Sequence, residues 1–584
     1  MINLRIYRAS LLLVPIAVVV AMFSLQSDPA GRHSPIAPDS FDGDIAAGQA
    51  RAMARQAPAP RPGSDSDKRR ADLVRASFSQ IQGAQISTQS FSGSFEGKDV
   101  DLTNVICVLP GETDSQLMVI AGRDAARGDG AAGAGASTAA LLQIAAGFGG
   151  STHRKTLVFV STDASTIGAE GTRRLIGGYS DIAQVAAAVV ISSPAAEQPS
   201  QPLAIPWSSG PQSTSIELER TLEVAINDET GLRDRDESAF AELARLALPV
   251  NLGEQGPLIE SGTDAVRISS KGELPLPPSL DGADDISADT LGKFGRATLA
   301  TLLALDEAPE PLDHGPGAYI GLIGNLLPGW ALSLVALSLI VPLIAVALAA
   351  DARAIRHPEH LFAATVWVLT RSLPLLAALL LTYLLGFVGL VPRPRFPYDP
   401  GLHGIGVAEI IGLVLIAAAL IGATYVLKPW RRPPGLVVIG ATPACATLIA
   451  LGGIGVWIAN PYLALLVIPA LHAWLLLLAE STAVGSIVAA AITLAGLVPL
   501  LVALAVIAGH LAVGPDLFWQ FFTLLGDGQI SPALALLGCL LAGCGLSALA
   551  LARSRIGAPP PGRPARPEIK VRRPRPGPAA GERY

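Results

Sequence analysis

From residue 329 to 553 the chain passes through seven apolar stretches of about 20 residues or more, near 329–350, 367–391, 405–427, 435–458, 462–480, 483–508 and 532–552. As a helix, each is long enough to cross roughly 30 Å of hydrocarbon. That feature constrains this part of the molecule to an all-α bundle of seven transmembrane helices. An eighth apolar run, Leu11 to Leu25, follows Arg5 and Arg8 and is not closed by a clear small-residue cleavage site. Residues 1–26 therefore read as a retained signal anchor, one N-terminal transmembrane helix. A mean hydropathy of +0.46 over 584 residues agrees with a membrane component, and the lipid bilayer is the first expected partner.

The basic residues orient the bundle. Arg353 and Arg356, then Lys428, Arg431 and Arg432, then the basic tail 554–584 all fall on the side of Arg5 and Arg8. Positive charge marks the cytoplasmic side. The expectation is a plasma-membrane protein with both termini cytoplasmic and residues 27–328 external. Arg393 and Arg395 are left outside by this topology and are outnumbered. The aromatic stretch LFWQFFTLL, residues 517–525, reads as lying in the membrane interface. Glu409, His472 and Glu480 are the ionisable residues of the apolar half, the glutamates near span ends and His472 suited to bonding a neighbouring helix. Cys539 and Cys544 share one apolar stretch and read as packing residues.

The external part has soluble texture. Residues 27–66, rich in Pro, Ala, Gly and Ser, read as a flexible linker, and 309–328 as a second one. Between them, residues 67–308 alternate helix and strand patterns: ADLVRASFSQI, NVICVLP, LMVIAG, ASTAALLQIAAGF, LVFVS, AAAVVISS and ADTLGKFGRATLATLLALD. That alternation predicts a three-layer α/β domain with a mostly parallel central sheet. Cys107 is alone there, so no disulfide forms within the domain. Nothing in the charge pattern, net −6, points to nucleic acid.

In open α/β sheets the chemistry sits where strands end. The ends in question are LMVIAGRDA, the small-residue run GDGAAGAGAS, and LVFVSTDASTIGAEGTRRL. In order and spacing these segments resemble the co-catalytic zinc aminopeptidases of metallopeptidase family 28. The resemblance implies two zinc ions held by imidazole and carboxylate ligands, with a glutamate as general base. It places Arg123 at the position of the His ligand and Ala125 at the Asp, with the bridging Asp at Ala132 or Gly133. Ser165 and Thr166 stand for the Glu-Glu pair, and a further Asp falls near Ser192 and Ser193. No His occurs from 154 to 313, so the last ligand is also missing. No zinc or other cofactor is therefore expected, and no catalytic residue is assigned.

Two readings remain for what replaced them. Arg123 either neutralises a lost site or binds an anionic lipid headgroup or peptide carboxylate, with Asp124, Asp163, Ser165 and Thr166 as neighbours. Asp124, Asp129, Asp163 and Glu170 read as solvated loop acids; as a set they would suit an oxygen-loving ion such as calcium better than zinc. His153, in the polar loop GGSTHRK, reads as a surface residue. The Gly-rich run lacks the endings of a phosphate loop, and there is no G-x-S-x-G elbow.

The layout, a first span, a ligand-depleted peptidase-like domain and a multi-span bundle, is similar to the peptidase-like subunit of the GPI transamidase complex. That resemblance implies a non-catalytic scaffold or recognition component, working with other membrane proteins or an anionic ligand. The alternatives are an active membrane-bound zinc aminopeptidase, and a transporter or lipid-handling protein with an accessory external domain.

Overall fold

A computed structural model describes residues 2–233, 237–354, 358–391, 393, 397, 405–429, 435–479, 485–514 and 517–554. Its strands are β1 (Gln26–Ser27), β2 (Gln85–Phe95), β3 (Lys98–Leu109), β4 (Thr113–Gly122), β5 (Lys155–Thr162), β6 (Val185–Ser192), β7 (Ala204–Ile205), β8 (Ala265–Ser269), β9 (Tyr319–Leu322) and β10 (Asn325–Pro328). Seven of them form one sheet in the order β2-β3-β5-β4-β6-β8-β7.

This sheet is mixed, which corrects the expectation of a mostly parallel one. β5, β4, β6 and β8 run parallel, but β2 pairs antiparallel with β3, β3 with β5, and β7 with β8. A tight turn at Glu96–Gly97, both with positive φ, joins β2 to β3, and a turn that short permits only an antiparallel partner. The central strands are unbroken apolar runs because they are covered on both faces.

The helices before the bundle are α1 (Leu4–Ser10), α2 (Leu13–Phe23), α3 (Gly43–Gln56), α4 (Asp65–Phe78), α5 (Ala136–Phe148), α6 (Glu170–Gly178), α7 (Ile216–Thr230), α8 (Ala239–Ala247), α9 (Gln255–Glu260) and α10 (Ala288–Glu307). One face of the sheet packs Val105, Cys107, Val119 and Phe159 against α3, α4, α5 and α10. The other packs Ile106, Met118, Ile120 and Val190 against α6 and α9.

The stretch read as a flexible linker, 27–66, holds α3. Asp42 caps it, its carboxylate accepting from the Asp44 and Ile45 amides, and Ala46, Ala47 and Ala50 are wholly buried. Alanine has the best helix propensity of any residue and permits close helix approach, so an Ala-rich segment that looks like a tether packs as core. The second linker, 309–328, contains β9 and β10, and β1 adds to β10 to make a three-stranded sheet.

The C-terminal region carries about seven apolar helices: α11 (Gly329–Ala354), α12 (Pro358–Thr370) with α13 (Leu373–Val388), α14 (Val407–Leu427), α15 (Gly435–Ala459), α16 (Pro461–Leu477), α17 (Ser486–His510) and, after the short α18 (Leu517–Asp527), α19 (Pro532–Ser554). The stretch expected as one span at 367–391 takes in the end of α12 and the whole of α13, two helices bent by 47° at Arg371–Ser372. Residues 4–23 form a further apolar helix of spanning length. Length and hydropathy qualify these helices to cross a membrane, except α16, which at 17 residues is shorter. The less apolar segment Ala131–Phe148, also long enough to span, lies instead among the core helices of the α/β domain.

His472 joins three helices: one ring nitrogen faces the Tyr7 hydroxyl and the other the Leu339 carbonyl, both at 2.9 Å. The carbonyl side must carry the proton, so the tyrosine donates to Nδ1. Glu480 and Arg356, Arg395, Arg431 and Arg432 of the topology argument lie outside the described residues. The α/β domain seats directly on the bundle. Asn460 caps α16 and also donates to the Leu246 carbonyl at 3.0 Å, while Arg245 meets His510 Nδ1 at 3.0 Å.

Candidate functional site

At the carboxyl ends of β4 and β5 the chain turns twice. β4 delivers Gly122-Arg123-Asp124, and β5 delivers Asp163-Ala164-Ser165-Thr166. Arg123 folds back into the interior and is fully buried. Its Nε lies 2.9 Å from Asp67 Oδ1 and its Nη2 2.7 Å from Asp163 Oδ2. Burial alone would lower the guanidinium; Asp67 and Asp163 more than offset that and hold it above its ordinary value. Burial also pushes both acids up, Asp163 to about 8 against the pull of Arg123. Two acids sharing one buried cation, Asp163 holding its proton through neutral pH, form a structural cluster whose members are used up on one another.

Asp124 points the other way, along the turn after β5. Its Oδ1 accepts from the Ser165 amide at 2.7 Å and the Ser165 hydroxyl at 2.6 Å. Its Oδ2 accepts from the Thr166 amide at 3.2 Å and from the Thr166 hydroxyl. Four donors thus satisfy one carboxylate. Gly122 makes the approach feasible, since a Cβ there would lie 2.2 Å from the Ser165 hydroxyl oxygen. Ala164, Ala169 and Ser193, all near this turn or the end of β6, adopt positive φ, which for non-glycine residues stores about 1–3 kcal/mol of strain each.

The small-residue run forms a single π-helical turn, Ala131–Gly135, leading into α5. The Gly130 and Gly133 amides donate to the two oxygens of Asp281, at 2.9 and 2.8 Å. A helix start of this kind attracts anions, and here a carboxylate of the same chain fills the place. Arg70, buried beside it, donates to the carbonyls of Ala57, Arg123 and Gly130; burial lowers it to about 10.

Two further buried charged residues reach the same place from distant sequence. Glu254, before α9, accepts from the hydroxyls of Thr162 and Thr172, both at 2.7 Å and both on Oε1. Burial pushes it up to about 7, against the pull of those two hydrogen bonds. Arg267, on β8, donates from Nη2 to the Glu273 carbonyl at 2.9 Å, and burial lowers it to about 10.

An open cavity lies between these groups. Asp124, Ala125, Gly133, Ser165 and Thr166 border it, together with Ser192 and Ser193, Glu254, Arg267 and Asp281. Arg123 and Asp163 do not. The structure therefore brings most of the sequence-derived positions to one cavity, and it places Arg123 behind them against two acids, the arrangement that suits neutralisation of a lost site rather than ligand binding. Asp67, Glu254, Arg267 and Asp281 escape sequence reading because nothing local marks them. His153 is buried rather than on the surface: its Nδ1 faces the Lys155 carbonyl at 2.8 Å and its ring stands edge-on to Phe148.

The donor set does not fit a zinc pair. Among the described residues there is no group of three or more His, Cys, Asp and Glu side chains placed to hold a metal ion. A buried permanent cation also occupies the expected ligand position.

No protein-family profile and no curated protein matches the chain. Solved structures do. A glutaminyl cyclase from an Acidobacteriales bacterium aligns over 46% of this chain and 95% of its own, at 16% identity and a TM-score of 0.37. A zinc aminopeptidase from Bacillus subtilis aligns over 45% and 94%, at 12% identity and 0.36. A Zn-dependent exopeptidase from Parabacteroides distasonis aligns over 44% and 97%, at 14% identity and 0.34. Each of these alignments spans less than half of this chain.

Proposed function

We propose that this chain is a multi-pass membrane protein whose external, peptidase-like domain recognises a ligand or partner without hydrolysing it. One observation carries the reading. The carboxylates around the turn at 163–166 are engaged by donors of the same chain: Asp124 by Ser165 and Thr166, Asp163 by Arg123, Asp281 by two glycine amides. A hydrolytic site needs an activated water beside its base. Glu254 keeps one oxygen unbonded at this cavity, but among the described residues no group of three or more His, Cys, Asp and Glu side chains is placed to hold a metal that would activate the water, and Ser165 is no base near neutral pH. What the turn keeps is an open polar cavity at the end of a rigid sheet, which suits binding. The layout similar to the peptidase-like subunit of GPI transamidase agrees with this role. The positive-inside pattern supports a topology with residues 27–328 on the outer side of the plasma membrane and both termini in the cytoplasm.

The test is the metal content of the full chain purified in detergent with added zinc, beside an aminopeptidase assay. The expected result is no stoichiometric metal and no turnover. Two zinc ions per chain with hydrolysis would refute the proposal and restore the enzyme reading.

A second reading, lipid handling by the bundle, is favoured by the break between α12 and α13. There the buried Arg371 guanidinium stacks 3.4 Å from the Trp367 ring centroid. A charged side chain at a helix break within an apolar bundle is a functional candidate by default. Loss of lipid binding or transfer in Arg371→Gln, with the α/β domain intact, would support that reading.

A further inference from the structure

Arg70, Arg123 and Arg267 are buried in the α/β domain, and Arg267, 5% exposed, is the one of the three that borders the cavity. Of its five N–H donors, one is matched among the described residues: Nη2 donates to the Glu273 carbonyl at 2.9 Å. Its Nε is buried with no partner among them. No carboxylate of the described residues lies within salt-bridging distance, and the Glu273 side chain is taken by Arg245 at 2.6 Å. The space for the guanidinium is built, because a Cβ at Gly253 would lie 2.8 Å from its Cδ and Nη1. A buried guanidinium left this incomplete is costly, and an oxyanion aligned with its planar fork is the partner its geometry matches.

We infer that the cavity binds a carboxylate, and that Arg267 is the residue that receives it. Planar carboxylates and tetrahedral phosphates both match a guanidinium fork. The surroundings discriminate between them. Asp124, Glu254 and Asp281 border the same cavity, so a dianion meets more like-charge repulsion than a monoanion does. The second oxygen of Glu254 accepts no hydrogen bond from the described residues and lies 3.2 Å from where a Cβ on Gly122 would stand, at the Ser165 end of the cavity. It is placed to accept from a donor on the same ligand. Two sources share this chemistry, a small organic acid and the free carboxyl end of a peptide chain.

The inference rests on the recognition reading of the site, and the experiment separates the two. The full chain in detergent or nanodiscs is titrated with N-acetyl-alanylalanine, its C-terminal amide, propionate and inorganic phosphate, with binding read by calorimetry or ligand-observed NMR. The expected result is saturable binding of the free acid and a loss of about tenfold or more for the amide, the worth of a charge-assisted pair. Arg267→Gln loses a similar factor. If that variant does not fold, Arg267→Lys keeps the charge, loses the fork and is still expected to weaken binding several-fold. Propionate binding as tightly as the dipeptide identifies a small acid; tighter dipeptide binding identifies a chain end. Equal affinity for acid and amide, tighter binding of phosphate, no binding at all, or a folded Arg267 variant with unchanged affinity overturns the inference. Cleavage of an added peptide would instead defeat the recognition reading itself.

Discussion

Glu254→Gln tests the electrostatics of the cavity through stability alone. Burial raises Glu254 from 4.5 to about 7. A carboxyl with a raised folded value binds its proton more tightly in the native than in the unfolded state. Between those two values the native state therefore holds more protons, and stability falls as pH rises. The window runs from about pH 4.5 to 7, and the full loss approaches about 3 kcal/mol at 1.36 kcal/mol per unit. The substituted amide keeps an oxygen for Thr162 and Thr172 and carries no charge at any pH. The native and variant chains should unfold at nearly the same temperature at about pH 4, below the unfolded value. At pH 8 the variant should be more stable, by about 5–10 °C for a domain of this size. The assay is thermal unfolding of both proteins across that range, read as a difference so that all other titrating groups cancel. A difference that does not change with pH, or a native protein more stable than the variant at pH 8, would show an ionised Glu254 with favourable partners and refute the reasoning.

Three other outcomes follow from the same geometry. Arg123→Met leaves Asp67 and Asp163 buried without their cation and should cost about 3–5 kcal/mol in denaturant unfolding at pH 7; native-like stability would mean the cluster is not formed. Asp281→Ala strips the acceptor from the Gly130 and Gly133 amides and should cost about 1–3 kcal/mol, with Asp281→Asn costing less, measured by the same unfolding. For topology, a membrane-impermeant maleimide should label Ser92→Cys on intact cells and leave Ser554→Cys unlabelled until the membrane is opened; the reverse pattern would overturn the orientation drawn from the arginines.

The parts of the fold legible in sequence are those in which one segment declares its own environment. The strands around Met118, Phe159 and Val190 are runs of apolar residues that only a doubly covered sheet accommodates. The apolar helices after residue 329 declare themselves by length. α3 does not, because Ala46, Ala47 and Ala50 look the same in a tether as in a core and differ only in what packs on them. The break at Arg371–Ser372 is similarly silent, since the apolar pattern continues on both sides of it. His153 belongs to a loop of polar residues, yet the Phe148 ring covers it.

The site divides along the same line. The turn at 163–166 is legible as a location, because a buried strand ends there in polar residues. Its partners are not: Thr162 meets Glu254 across 92 residues of sequence and Gly133 meets Asp281 across 148. The two arginines show why composition at a position does not decide its role. Arg123 stands in the motif, where sequence leaves it either a neutralising or a binding residue, and two acids lie close to its guanidinium, at 2.9 and 2.7 Å. Arg267 sits in an unremarked strand, equally removed from water, with one backbone carbonyl for a partner among the described residues. Burial is common to both, so burial cannot separate a structural arginine from a binding one. The number of N–H donors left unmatched does, and that number depends on contacts between distant segments.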